Sequence, residues 1–273
     1  MTKKQSVFVE TVKNFYTAWG RHDLPWRQTH DPYKILVSEV MLQQTQVVRV
    51  MAKYEEFLSL FPTVDSLAQA PLGAVLTLWQ GLGYNRRAKL LHACAQTVVR
   101  EYKGVWPRDI TLLRSLPGIG PYTAGAVAAF AFSIPSTIIE TNVRTVYLHH
   151  FYPDETNVSD ALLLPIIKAT LDQTDPRSWY YALMDYGSHL KQTVGNKNTQ
   201  SKHYTKQSKF EGSDRQIRGA IIRALSLKNT GVTLANILKE ISSTDPERLR
   251  VQLAKLLAEK MVEKVGARYQ LPK

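Results

Sequence analysis

One cysteine, Cys94, stands in a chain of 273 residues. A single thiol excludes a disulfide framework within the chain and any metal centre built from several thiolates. Long apolar runs are missing too, since no stretch approaches the roughly 20 residues that a membrane span requires. A soluble intracellular protein with no membrane partner is expected. Acid is scarce, with 23 Asp and Glu against 35 Lys and Arg and a formal net charge of +12. A field of that sign draws polyanions, of which nucleic acid is the usual one, although a merely basic soluble protein has the same balance. Internal repeats and low-complexity segments are not evident.

What is present is helical periodicity. Phe8, Val12, Phe15 and Trp19 fall on one helix face, and apolar positions recur at three- and four-residue steps in 35–60, 86–100, 122–133, 158–171 and 179–190, punctuated by Pro and Gly. An all-α domain over 1–190 is predicted. Residues 191–213, "KQTVGNKNTQSKHYTKQSKFEGS", are polar, Lys-rich and aperiodic, which fits either a flexible connector or a basic DNA-contacting loop. Three short helical patterns follow at 214–226, 233–241 and 245–259, and then "MVEKVGARYQL" alternates around Gly266 as a hairpin does. Residues 214–273 therefore read as a small winged-helix-like domain that contacts DNA or another protein.

The stretch "LPGIGPYTAGA" places Gly118 and Gly120 between two helical runs. Glycines let the backbone turn sharply and approach a ligand, and the next helix offers free N–H groups and a positive dipole end, so a phosphate fits there. An ordinary structural turn uses the same residues. A P-loop does not, because no Gly-Lys-Ser/Thr follows.

"LPGIGPYTAGA", "DLPWRQTHDPYKILVSEVMLQQTQV" and "LWQGLGYNRRAKLLHACA" together resemble the endonuclease III superfamily of helix-hairpin-helix DNA glycosylases, closest to its adenine glycosylase branch, which removes A opposite 8-oxoguanine. The resemblance covers about residues 7–190. It implies the two-lobed helix-hairpin-helix glycosylase fold, a mainly α structure, and hydrolysis of the N-glycosidic bond of a flipped base in mismatched or damaged double-stranded DNA. Such chemistry needs a proton for the leaving base and negative charge beside the sugar cation. The resemblance assigns the proton donor to Glu39, the sugar-stabilising carboxylate to Glu140, and supporting catalytic roles to Tyr122 and Asn142. Trp26, Arg27, Leu42 and Tyr181 match base-pocket positions. Gln44 and Tyr84 match side chains that fill the gap left by the flipped nucleotide. Gly118, Gly120 and Arg86, with Arg87 and Lys89 behind it, are candidates for phosphates, as are Lys191 and Lys197 of the basic loop and Arg248, Arg250 and Lys255 near the C-terminus. A monomeric, nucleoid-associated protein of base excision repair is implied.

Five departures from the family pattern matter. Glu140 stands where the superfamily has Asp, and one methylene moves a carboxylate by roughly 1 Å, a displacement that can cost about 10²-fold in rate. Compensation by the backbone, altered activity, and binding without cleavage are the three outcomes. Tyr122 stands where bifunctional relatives carry a Schiff-base lysine, so no β-lyase activity is expected. Most relatives hold an iron–sulfur cluster on four cysteines after the segment matching "YYALMDYGSHL"; here no cysteine follows, so no cofactor and no metal are expected. Tyr181 replaces a Glu of adenine-specific members, and about 60 residues after the linker cannot build the nudix-like domain of familiar adenine glycosylases. Another lesion, deaminated or alkylated, and a non-catalytic damaged-DNA binder are the alternatives.

Overall fold

The computed structural model describes residues 1–228, 230–242 and 244–273. Their helices are α1 (Lys3–Trp19), α2 (Pro32–Leu42), α3 (Val47–Leu60), α4 (Val64–Gln69), α5 (Leu72–Leu78), α6 (Arg86–Tyr102) and α7 (Ile110–Ser115). After these come α8 (Pro121–Phe132), α9 (Thr141–Phe151), α10 (Asp160–Thr170), α11 (Pro176–Thr193), α12 (Asp214–Ser226), α13 (Leu234–Glu240) and α14 (Pro246–Ala258). Three short strands, β1 (Val232–Thr233), β2 (Glu263–Val265) and β3 (Arg268–Gln270), complete the chain. The mainly α class is as expected. The 35–60 pattern is divided between two helices, α2 and α3, separated by the turn at 43–46.

Two compact units share these elements: Met1–Glu39, Pro107–Ser115 and Ile119–Lys206 form the first, and Val40–Trp106, Leu116–Gly118 and Gln207–Lys273 the second. These bounds differ from 1–190, 191–213 and 214–273, because compactness groups the C-terminal module with residues 40–106.

In the first unit α11 packs on α9, α1 and α8. Its core is aromatic: the Phe8 ring lies 5.0 Å from Tyr147 and 6.0 Å, edge-on, from Trp179. Local signals start the helices. Thr2 and Gln5 make a reciprocal capping box for α1, and Asp175 accepts the Ser178 N–H ahead of Pro176 at the first position of α11.

The segment after α11 is built into this unit. The buried Asn198 amide donates to the Thr141 carbonyl (2.9 Å) and the Thr145 hydroxyl (2.5 Å) of α9, and Ser201 bridges to Val158. A segment that composition reads as a flexible connector or a basic loop is thus tied down between Asn196 and Lys202, where one buried Asn donates to two groups of α9.

In the second unit α4 and α5 flank α6 over a core that includes Phe57, Leu67, Trp79 and Val98. Helix α12 packs on α14, α13 and α5. The sheet order is β1-β3-β2, antiparallel throughout, with Val232 opposite Tyr269 and Glu263 opposite Gln270. Gly266, at φ 59°, makes the β2–β3 turn in the left-handed region that favours glycine. Strand β1 gave no sequence signal because two residues carry no alternation. The end of the chain reaches α5, where the Gly73 N–H donates to the Pro272 carbonyl at 2.8 Å.

Candidate active site

Helix α2 is buried on almost every side, Tyr33, Ile35, Leu36, Val37, Val40 and Met41 all being inaccessible, and this is what places Glu39 in an apolar setting. Only 5% of Glu39 is exposed. Burial pushes its pKa up from the ordinary carboxylate range to about 7, with the nearby Glu140 charge adding to the rise and the Tyr122 hydrogen bond and Arg27 opposing it. The Tyr122 hydroxyl donates to Glu39 Oε2 at 2.7 Å, and burial followed by the two carboxylates holds that phenol well above its ordinary pKa. A carboxyl half-protonated near neutrality, steadied by a phenol that stays protonated, has the proton equilibrium that general acid catalysis requires.

Glu140 is the N-cap of α9. Its Oε1 accepts from the Asn142 N–H (2.7 Å) and the Val143 N–H (2.8 Å), and its Oε2 from Asn142 Nδ2 (3.2 Å). Burial raises its pKa, while those N–H groups and the Arg144 charge favour the anion. Glu39 and Glu140 therefore sit close enough to feel each other in unlike environments, one short of donors and one supplied with three.

Several residues that sequence reasoning passed over hold this arrangement. Tyr180 donates to the Ser136 carbonyl (2.6 Å) and accepts from the Ile138 N–H (3.0 Å), fixing the irregular approach to Glu140. Gly187 of α11 lies against the first turn of α9, where an added Cβ would stand 2.3 Å from the Asn142 carbonyl oxygen. Asp185 accepts from Arg21 and, in a two-pronged bond at 2.7 and 2.8 Å, from Arg27. Burial alone would raise the Asp185 pKa, but Arg27 and Arg21 outweigh it and lower it. These are contacts between residues up to 164 positions apart, so no local pattern announces them.

The four pocket candidates fall as follows. Trp26 is buried. Arg27 has its guanidinium committed to Asp185 and lies 4.3 Å over the ring of Tyr181, which stacks on Phe130 at 4.4 Å. Tyr181 thus supplies an aromatic face where the family pattern has a carboxylate. Leu42 ends α2 partly exposed.

Gln44 and Tyr84, in the second unit, adopt left-handed backbone, at φ 57° and 48°. Non-glycine residues rarely do so unless their surroundings enforce it. Arg87 does the enforcing: its guanidinium donates to the carbonyls of Val40, Met41, Gln43, Leu82 and Gly83 and to the Thr45 hydroxyl. Burial lowers its pKa to about 10. Arg87 is thereby withdrawn from the phosphate candidates, since its donors are spent on backbone, and Lys89 is withdrawn with it because its ammonium bonds the Glu259 carbonyl. Arg86 remains exposed. Lys191 is exposed on the last turn of α11, and Lys197 donates to the Pro153 carbonyl at 3.3 Å. Arg248 and Arg250 pair with Asp214 and Glu247 at exposed positions, where such pairs exchange readily with other anions.

In the hairpin, α7 and α8 pack together around the turn. Gly118 has φ +76° and an added Cβ would meet Leu90 Cβ at 2.7 Å, so both conformation and packing demand glycine. Gly120 caps α8 and faces open space, as close approach of a ligand requires.

The chain thus combines a helical hairpin with a raised-pKa carboxyl and a helix-capping carboxylate. Residues 37–175 match the family described as "HhH-GPD superfamily base excision DNA repair protein", and the chain belongs to that family. It is 35% identical over 268 residues to the adenine DNA glycosylase of Mycolicibacterium smegmatis, covering 90% of each chain. Against the adenine DNA glycosylase of Buchnera aphidicola subsp. Baizongia pistaciae it is 35% identical over 186 residues, 67% of this chain and 52% of the relative's length. Among solved structures, a thermostable thymine-DNA glycosylase superposes with a TM-score of 0.61 at 29% identity, over 68% of this chain and 87% of that one.

Proposed function

We propose that the protein is a monofunctional DNA glycosylase that releases a flipped adenine, paired with 8-oxoguanine or G, and leaves an abasic site. The observation that carries this reading is the Tyr122–Glu39 pair at 2.7 Å with the Glu39 pKa near 7. Glu39 gives its proton to the departing purine as the C1′–N9 bond breaks and the bonding electrons leave with the base. Glu140, whose anionic form is favoured by its three N–H donors, supplies negative charge to the cation that develops on the sugar. Water then adds at C1′, and its proton returns to solvent or to Glu39. The extra methylene of Glu140 is compatible with this role because the side chain still caps α9.

Tyr122 supports the absence of lyase chemistry, since a phenol forms no imine and its hydroxyl is engaged by Glu39. An iron–sulfur cluster does not fit this chain: Cys94 is buried within α6, and four thiolates cannot be assembled from one. The adenine preference rests on the relatives. Tyr181 favours a second reading, a deaminated or alkylated base, because it offers a ring rather than a carboxylate to the pocket. We read the α12–α14 and β1–β3 module as winged-helix-like and the protein as a monomer on double-stranded DNA. Among the described residues no helix is long and apolar enough to cross a membrane.

The test is a panel of duplexes bearing A opposite 8-oxoguanine, A opposite G, hypoxanthine, uracil, thymine opposite G, or alkylated purines, treated with alkali after incubation. Scission on the adenine duplexes only after alkali supports the proposal. Scission on another lesion alone transfers the assignment to it, scission without alkali overturns the monofunctional reading, and tight binding with no scission overturns the enzyme.

A further inference from the structure

The backbones of the two gap-filling candidates are fixed by Arg87, but their side chains are a separate matter. An exposed Gln and a half-buried Tyr at loop tips sample several rotamers, and entering a base stack would freeze them at an entropic cost. In this protein both tips are already held, and by residues C-terminal to the 37–175 segment that matches the family model. Gln207 Nε2 donates to the Tyr84 hydroxyl at 2.6 Å and to Gln44 Oε1 at 3.2 Å. Arg215 Nη1 donates to the same hydroxyl, and its guanidinium carbon lies 5.1 Å from the Tyr84 ring centroid. The other end of Arg215 donates to the Ser208 carbonyl (2.6 Å), the Ser208 hydroxyl (3.0 Å) and the Lys209 carbonyl (3.3 Å), so α12 also fixes the strand of chain that presents Gln207.

The charges fit the same purpose. Arg218 is paired with Glu259 and Arg248 with Asp214, whereas among the described residues Arg215 has no carboxylate partner. It lines a 290 Å³ cleft with Tyr84, Asn85, Arg86, Leu90 and Arg218. A cation left without an acid beside the loop tips is stable enough when its donors reach neutral oxygens, and it adds attraction for the DNA backbone.

We infer that Gln207 and Arg215 are positioning residues for base flipping, holding the Gln44 and Tyr84 side chains in the conformation that enters the duplex. This rests on the glycosylase reading but is tested apart from it. The segment before α12 then has a function beyond linking, and the Tyr84 hydroxyl is the acceptor that Gln207 and Arg215 share.

The experiment uses the full chain with Tyr84→Phe, Gln207→Ala, Arg215→Ala and the double variant Tyr84→Phe/Arg215→Ala. Flipping is read as the fluorescence gain of 2-aminopurine at the target position of a duplex opposite 8-oxoguanine, with protein saturating; base release from the adenine duplex is read separately under single turnover. Each single variant is expected to lose most of the fluorescence gain and about tenfold in single-turnover rate. Affinity for undamaged duplex should fall much less, and the double variant should lose clearly less than the sum of the two single losses. Tyr84→Phe removes one oxygen and keeps the ring, so it reports even if an Arg215 variant folds poorly. Additive losses, unchanged fluorescence, or a larger gain in the variants, as release of a latch would give, overturn the inference, as does a wild-type chain that gives no gain. Flipping by the wild type without base release leaves this inference standing and removes the enzyme reading instead.

Discussion

Replacing Glu39 with Gln should stabilise the folded protein in alkaline solution while abolishing the proton donor. The folded pKa is about 7 against an ordinary carboxyl value of 4.5, and burial is the main cause. Between those values the folded state binds a proton that the unfolded chain has lost, so stability falls as pH rises through this window and levels off above the folded pKa. At about pH 8.5 keeping Glu39 ionised in its buried setting costs on the order of 3 kcal/mol, at about 1.36 kcal/mol for each tenfold change in its proton equilibrium. At about pH 5 most of that cost is absent. Gln carries no charge, so the stability advantage of Glu39→Gln should be about 2.5 kcal/mol larger at pH 8.5 than at pH 5, whatever constant penalty the amide adds. Urea unfolding of both proteins at the two pH values measures this difference directly. An advantage equal at both pH values would show that Glu39 titrates as a solvated carboxyl, and the general-acid assignment would lose its physical basis.

Three further outcomes follow from neighbouring contacts. Tyr122→Phe removes the hydrogen bond that favours the Glu39 anion, so the alkaline limb of the pH–rate profile for base release should move upward while the maximal rate drops several-fold; a limb that stays in place contradicts the coupling. Gly187→Ala drives a methyl into the Asn142 backbone and should displace the Glu140 cap, lowering single-turnover base release at least about 10²-fold with DNA affinity little changed. Asp185→Asn strands the buried Arg27 charge and should destabilise the protein by about 3–5 kcal/mol in denaturant titration, since the lost partner leaves a desolvated cation.

Helical class and the hairpin were legible because both are local. Periodicity reports helices, and Gly118 at φ +76° is written into the sequence as glycine. Glu39 and Tyr122 could be named from motifs, yet their bond spans 83 positions and the raised pKa depends on what surrounds α2, which no single segment encodes. Arg87 shows the limit most clearly. As a letter beside Arg86 and Lys89 it reads as a phosphate contact, but burial turns it into a hub for six backbone and hydroxyl acceptors. Asn198 shows the converse, since polar composition suggested solvent while two α9 acceptors drew it inside. Gly187 and Asp185 were invisible for the same reason: their partners come from elsewhere in the fold.

The central claim is that Glu39 delivers a proton to a departing base, and it is tested most directly by chromatographic detection of free adenine released from a duplex with A opposite 8-oxoguanine under single turnover. Wild-type protein should release adenine at a rate that falls above about pH 7, and Glu39→Gln should bind the duplex but release none. Adenine release by Glu39→Gln at the wild-type rate would contradict the account.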